Sequence, residues 1–296
     1  MRDFGTVLTA MVTPFDAEGE VDFARAAALA DRLVATGSDG LVVAGTTGES
    51  PTLTHQEKLD LFRCVVDTVG GRVPVIGGTG NNNTRDSIEM TREAEKTGLD
   101  AVMLVGPYYN KPSQEGLYRH FKLVAEETEL PIVIYNVPTR TSKNIDLQTI
   151  LRLAEIPNIV ALKEASGDIK QASELCRLTP KDFAIYSGDD FLALPLLALG
   201  ARGIISVVSN LDGPRVAGMV SAFYAGDTAR AAELHHTLFP LFEACFLESG
   251  NPSCVKRAME ICGCAVGGVR PPLAEASPAD TEKIRAVCER MGLVGA

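Results

Sequence analysis

Residues 101–135 read AVMLVGPYYNKPSQEGLYRHFKLVAEETELPIVIY, and their alternation decides the fold. Ala101 to Val105 is apolar at every position, which a strand tolerates only when both faces are covered. Gln114 to Thr128 instead places apolar residues three and four apart, the period of an amphipathic helix. Ile132 to Tyr135 then resumes the fully apolar pattern. A strand returning through a helix to a second strand pairs in parallel with a right-handed crossover.

The same unit recurs outward in both directions. Further strand candidates are Thr6 to Val12, Leu41 to Ala44, Val73 to Ile76, Ile159 to Leu162, Phe183 to Tyr186 and Gly203 to Val207, making eight. Helical spacing returns at Phe23 to Thr36, Gln56 to Val69 and Thr84 to Thr97, with Gly37, Gly70 and Gly98 at plausible C-terminal ends. Eight such units with no glycine-rich switch point favour closure into an α/β, (β/α)8 TIM barrel over an open doubly wound sheet. The barrel is expected over 1–225. Residues 226–296 form a C-terminal helical extension, with helices at Thr228 to Leu247, Ser253 to Ile261 and Ala279 to Met291. It is too short for a robust independent domain and is expected to pack on the barrel flank or build an oligomer contact.

Composition narrows the function. The 296 residues are 46% hydrophobic and 22% charged, ordinary for a packed chain. A net charge of -10, with no basic cluster, argues against a nucleic-acid partner. The opening MRDFGTVLTAMVTPFD lacks the layout of a secretion signal, and a cytoplasmic location is expected. The most membrane-like window, Phe191 to Val208, is cut by Pro195, Gly200, Arg202 and Gly203, so no membrane span is expected. Seven scattered cysteines suit free thiols in a reducing compartment, and Cys262-Gly-Cys264 reads as packing.

In a barrel of this kind the C-terminal ends of the strands form the active-site mouth, and several carry polar residues. Lys163 follows four apolar residues of the sixth strand. An amine in that partly enclosed place loses solvation, and bringing its pKa from about 10.4 to about 7.5 means destabilising the ammonium by roughly 4 kcal/mol. The neutral share is then nucleophilic toward a carbonyl. Tyr135 ends the fifth strand, where a phenol can relay protons, and Arg140 just beyond offers a planar fork for a carboxylate. Gly45-Thr-Thr-Gly-Glu-Ser50 can cradle a carboxylate with backbone N–H groups and the Thr46 and Thr47 hydroxyls. Tyr108 and Tyr109 add two phenols to the rim. Gly77-Gly-Thr-Gly80 lacks the spacing of a dinucleotide loop, and no HExxH, CxxC or GxSxG pattern suggests a metal or serine enzyme.

Gly45-Thr-Thr-Gly-Glu49, Pro107-Tyr-Tyr-Asn110, Tyr135-Asn-Val-Pro-Thr-Arg140, Lys163-Glu-Ala-Ser-Gly-Asp168 and Ser187-Gly-Asp-Asp190, in this order, resemble the dihydrodipicolinate synthase family of pyruvate-dependent class I aldolases. The likeness runs from about Gly5 to Pro272, and Arg140 after Tyr-Asn-Val-Pro points to the synthases within the wider aldolases. It implies a lyase that condenses pyruvate with L-aspartate 4-semialdehyde through an imine on Lys163, on the way to diaminopimelate and lysine. By that resemblance Tyr135, Thr47 and Tyr109 form the proton relay, with Tyr109 reaching into a neighbouring subunit. Thr46 and Thr47 bind the pyruvate carboxylate, Arg140 holds the semialdehyde carboxylate, and Gly188 and Ile205 line the pocket through their carbonyls. The family implies a homotetramer, a dimer of dimers, with no metal or organic cofactor beyond the covalent lysine-pyruvate imine.

Two departures stand out. The chain has Asn251-Pro-Ser253-Cys254 where members often have Asn-Pro-Ile-Pro, and Ser206-Val-Val208-Ser209-Asn210 where Ser-Val-Thr-Ala-Asn is frequent. Ser50, His55, Asn82 and Tyr108 match the family's allosteric lysine site, but Lys58 stands where sensitive members often have histidine and Asp86 replaces a glutamate. Weak or absent inhibition by lysine is expected. The alternatives are another pyruvate aldolase of this fold, cleaving N-acetylneuraminate or a keto-deoxy sugar acid, or a non-catalytic relative that binds a keto acid or amino acid.

Overall fold

A computed structural model describes residues 4–295; the outermost positions of the two expected segments, 1–3 and 296, lie outside the described residues. In chain order the elements are β1 (Val7–Ala10), α1 (Phe23–Ala35), β2 (Gly40–Val43), α2 (His55–Val69), β3 (Val75–Gly78), α3 (Thr84–Ala94), β4 (Ala101–Val105), α4 (Gln114–Ala125), β5 (Ile132–Asn136), α5 (Pro138–Thr141), α6 (Leu147–Leu153), β6 (Ile159–Glu164), α7 (Ile169–Leu178), β7 (Ala184–Ser187), α8 (Ala193–Leu199), β8 (Gly203–Ser206) and α9 (Ser209–Tyr224). Then come α10 (Thr228–Cys245), α11 (Ser253–Ile261) and α12 (Pro278–Arg290). The eight strands form a closed parallel barrel in sequence order, β1 pairing with both β2 and β8. This is the TIM barrel that the alternation implies.

Local chemistry sets the helix ends. Thr54 and Glu57 make a reciprocal capping box at the start of α2, and Gly70 closes it in the left-handed conformation. Ser113 accepts from the Gly116 N–H to start α4. In α9 the helix breaks at Asp212, two residues before Pro214, whose ring cannot continue the hydrogen-bond ladder.

The core has two parts. One fills the barrel interior, with Leu8, Val42, Ile76, Val133, Tyr186 and Ile205 all buried. The other lies between the outer strand faces and the helices and runs on into the extension through Cys245, Val255, Met259, Ile284 and Cys288. Among the described residues no helix is long and apolar enough to cross a membrane.

Register positions the chemistry. Tyr135 pairs with Lys163 and Lys163 with Tyr186; the Tyr135 ring lies beside the amine, whereas the Tyr186 hydroxyl donates to the Gly5 carbonyl at 3.0 Å, ahead of β1.

Candidate active site

Lys163 is 4% exposed on β6. Burial lowers its pKa to about 8, the Asp190 carboxylate working against that and the Arg140 guanidinium with it. Its Nζ stands 4.2 Å from the centre of the Tyr135 ring. Tyr135 is itself buried, which pushes its phenol up to about 12, while Arg140 and a hydrogen bond with the Thr46 side chain pull the other way. A phenol held that high stays protonated and is ready to donate.

Gly188 is needed by the lysine itself. A Cβ built there would lie 2.8 Å from Lys163 Cγ and 3.0 Å from its Cε, inside ordinary contact, so any side chain displaces the one that carries the amine. Ile205 is buried in the barrel interior. Asp190, also buried, accepts hydrogen bonds from Ser206 Oγ and from the Val207 N–H at 2.9 Å. Burial raises its pKa to about 6, so at neutral pH it is mainly ionised and supplies the negative field that Lys163 feels. The SGDD motif gave no sign of this role.

The loop after β2 is held from three directions. Thr13 Oγ1 donates to the Gly48 carbonyl at 2.6 Å, the Ser50 N–H to the Gly45 carbonyl at 3.1 Å, and Asn251 Nδ2 to Thr47 Oγ1 at 2.9 Å. The two threonines therefore do different things. Thr46 meets Tyr135 and lines the cavity, whereas Thr47 is buried and engaged by the extension. The expectation that places Thr47 in the relay finds no contact between Thr47 and Tyr135 among the described residues to carry it: the Thr47 hydroxyl accepts from Asn251, and Thr46 is the threonine at Tyr135. Ala44 and Glu49 bracket the loop at φ 51° and 57°, and Tyr109, Lys111 and Ser142 are also left-handed. All five lie in loops at the mouth, where strain of this kind costs of order 1 kcal/mol or more per residue and is held by surrounding contacts.

Arg140 sits on the short helix α5, not in an open loop, and its Nη2 donates to the Asn251 carbonyl at 3.2 Å. Together Thr46, Tyr135, Arg140 and Tyr108 line a cavity of about 240 Å3. Tyr109 does not face it: the residue is 89% exposed with φ 71°.

A second hollow of about 330 Å3 adjoins the first. Ser50, His55, Lys58, Asn82, Asp86 and Tyr108 all line it, and Ser50, Lys58 and Tyr108 border both. Burial lowers the Lys58 amine to about 8 and raises the Tyr108 phenol. Among the described residues no group of three or more His, Cys, Asp or Glu side chains is placed to hold a metal ion.

The extension contributes residues that motif reading missed. Lys256 on α11 forms an ion pair with Glu49 at 2.7 Å, both side chains almost wholly buried, and donates to the Gly268 carbonyl at 2.6 Å. The Arg270 N–H donates to Glu49 Oε2 at 2.9 Å, and its guanidinium takes Glu57 in a two-pronged contact at 2.5 and 3.0 Å. That pairing holds Glu57 down to about 2.

The sequence matches the model of the Dihydrodipicolinate synthetase family over residues 3–291. A protein named 4-hydroxy-tetrahydrodipicolinate synthase from Moorella thermoacetica is 57% identical over 98% of this chain and 99% of its own. The crystal structure of a dihydrodipicolinate synthase from Bacillus anthracis is 49% identical, with a TM-score of 0.95 over 98% of this chain and 99% of that one. A Cyanidioschyzon merolae structure of the same enzyme, with lysine bound, is 45% identical, with a TM-score of 0.96 over the same shares.

Proposed function

We propose, on the premise that this chain belongs to the dihydrodipicolinate synthetase family, that Lys163 carries its chemistry as a Schiff base. The reaction is that of 4-hydroxy-tetrahydrodipicolinate synthase, a lyase that condenses pyruvate with L-aspartate 4-semialdehyde in lysine biosynthesis. The observation that carries the assignment of roles is the buried Lys163 amine, near pKa 8, beneath the Tyr135 ring.

Neutral Lys163 adds to the keto carbon of pyruvate to give a carbinolamine. Tyr135 and Thr46 move protons as water leaves and the imine forms. The cationic imine is an electron sink, so the methyl carbon loses a proton and attacks the aldehyde as an enamine. The semialdehyde's amino group then displaces Lys163, closing the ring and freeing the amine. Because the imine itself supplies the electron sink, the scheme uses no metal or organic cofactor. Thr46 and the loop N–H groups hold the pyruvate carboxylate, with Thr47 fixing the loop through Asn251. Gly188 leaves room for the lysine, and Gly188 and Ile205 line the pocket through their carbonyls. Tyr109, exposed and held in a strained conformation, completes the relay in a neighbouring subunit of a homo-oligomer.

Arg140 separates this synthase from the sugar-acid aldolases of the same fold. In Arg140→Ala, borohydride with pyruvate still adds the reduced pyruvyl group to Lys163, because the guanidinium serves the second substrate. Condensation falls about 10²-fold in kcat/KM for the semialdehyde, the worth of roughly 2–3 kcal/mol for a hydrogen bond to a charged group. Full condensation activity in this variant, or wild-type label on another residue, overturns the assignment.

The second hollow carries a regulatory reading. An ammonium at Lys58 repels a bound lysine where the other five residues would receive it. Millimolar lysine therefore leaves the initial rate at half-saturating pyruvate nearly unchanged, and a halved rate contradicts this reading.

A further inference from the structure

Arg140 is exposed, and the element that carries it is too short to hold itself. The helix α5 is a single turn, Pro138–Thr141, followed by Ser142 in the left-handed conformation at φ 56°. One buried side chain closes its base: Asn136 Oδ1 accepts from the Ile145 N–H at 3.0 Å, and Asn136 Nδ2 donates to Asn144 Oδ1 at 2.8 Å. We infer that Asn136 is a positioning residue for the second substrate: its amide, oriented by the buried Glu164 carboxylate, closes the excursion from Asn136 to Ile145 and so sets the place of the Arg140 guanidinium. The inference rests on the reading that Arg140 receives the semialdehyde carboxylate.

Glu164 decides how that amide stands. An amide keeps nearly the same shape with its oxygen and nitrogen exchanged, so its neighbours choose which end faces which way. Asn136 and Glu164 pair in register one position beyond Tyr135 and Lys163, which puts them on the outer face of the barrel, and both are buried. Asn136 Nδ2 donates to Glu164 Oε2 at 3.1 Å, the Ser166 N–H to Oε1 at 2.6 Å, and Gln171 Nε2 on α7 to Oε2 at 3.4 Å. These donors favour the ionised carboxylate, against burial. An ionised carboxylate only accepts, so it draws Nδ2 toward itself and leaves Oδ1 for Ile145. Asn144 Nδ2 donates to Gln171 Oε1 at 2.8 Å, which completes a ring of side chains, and Gln114 Nε2 on α4 donates to the Asn144 carbonyl at 2.9 Å.

The ring bears on Arg140 rather than on Lys163. Main-chain bonds hold the strand around the lysine: the Ala165 N–H donates to the Asn136 carbonyl at 2.9 Å and the Gly188 N–H to the Glu164 carbonyl at 2.7 Å. Loss of the Asn136 amide therefore leaves imine formation in place and misplaces the guanidinium, and a displacement of about 1 Å can cost as much as about 10²-fold.

The test compares the full chain with Asn136→Ala, Arg140→Ala and their double variant. In Asn136→Ala the KM for the semialdehyde rises about tenfold with kcat within about threefold, and borohydride traps pyruvate on Lys163 at close to the wild-type rate. In the Arg140→Ala background the same change has no further effect, because Asn136 acts through a group already gone. A merely structural residue would add its cost in both backgrounds. Asn136→Asp sets two buried carboxylates against each other and raises the KM likewise; adding Glu164→Gln restores a donor–acceptor pair, and the KM returns to within about threefold of wild type. This exchange decides alone if Asn136→Ala does not fold. An unchanged KM in Asn136→Ala, effects that multiply with Arg140→Ala, pyruvate trapping slowed as much as condensation, or no recovery in the exchange overturns the inference. Failure of the Arg140 reading itself shows differently, as full condensation activity in Arg140→Ala with Asn136 intact.

Discussion

Replacing Lys163 with methionine abolishes turnover while making the folded protein harder to melt. Without the amine no imine forms, and the rate of condensation falls by about 10³-fold or more, with borohydride no longer incorporating pyruvate. The wild-type enzyme sets the scale. A pKa of about 8 leaves about a tenth of the amine neutral at pH 7, roughly 300 times the share at the ordinary value of 10.5. kcat/KM for pyruvate therefore rises with pH up to about 8 and then levels. The stability effect has a definite sign. Folding depresses this lysine's pKa, so the buried ammonium destabilises the fold fully below pH 8, and the penalty fades as pH rises from about 8 to 10.5. The shift corresponds to about 3 kcal/mol, so Lys163→Met melts higher than wild type at pH 7 and the difference narrows toward pH 10. A variant that melts lower at pH 7, or that still turns over, contradicts the assigned environment.

Lys256→Met has the opposite consequence. It strands the Glu49 carboxylate in a site almost wholly closed to solvent, where only the Arg270 N–H remains to it. Removing one member of a buried ion pair costs about 3–5 kcal/mol, because the other charge has no compensation. Glu49 stands in the left-handed conformation at the end of the Thr46–Thr47 loop, so activity falls along with stability. Adding Glu49→Gln removes the stranded charge, and the double variant recovers most of the lost stability in urea unfolding, a positive coupling between the two sites. Single and double variants of equal stability would mean that the pair contributes no such coupling.

What the sequence makes legible follows from the range of the physics. Consecutive apolar runs between helical periods are local, so β4 runs over Ala101–Val105 and α11 over Ser253–Ile261, the limits the pattern implies. Lys163 and Tyr135 are legible because polar groups at the ends of apolar strands are costly to bury. The division of work between Thr46 and Thr47 is not, since both carry a hydroxyl and only the turn decides which faces Tyr135. Contacts from the extension are the least accessible of all. Asn251 and Thr47 are 204 positions apart, and neither Lys256 nor Arg270 lies in a motif that names Glu49 as its partner. Asp190 is visible as part of a motif, but its field on Lys163 emerges only once β7 and β6 lie side by side.

The clasp of Asn251, Lys256 and Arg270 on the loop after β2 also bears on synthesis at the ribosome. A nascent chain that has emerged only through β8 already owns every strand and Lys163, yet its mouth lacks the groups that fasten Thr47 and neutralise Glu49. Translation must deliver α11 and the segment bearing Arg270 before the enzyme can start work, so a ribosome stalled after the last strand holds a barrel that is assembled but silent.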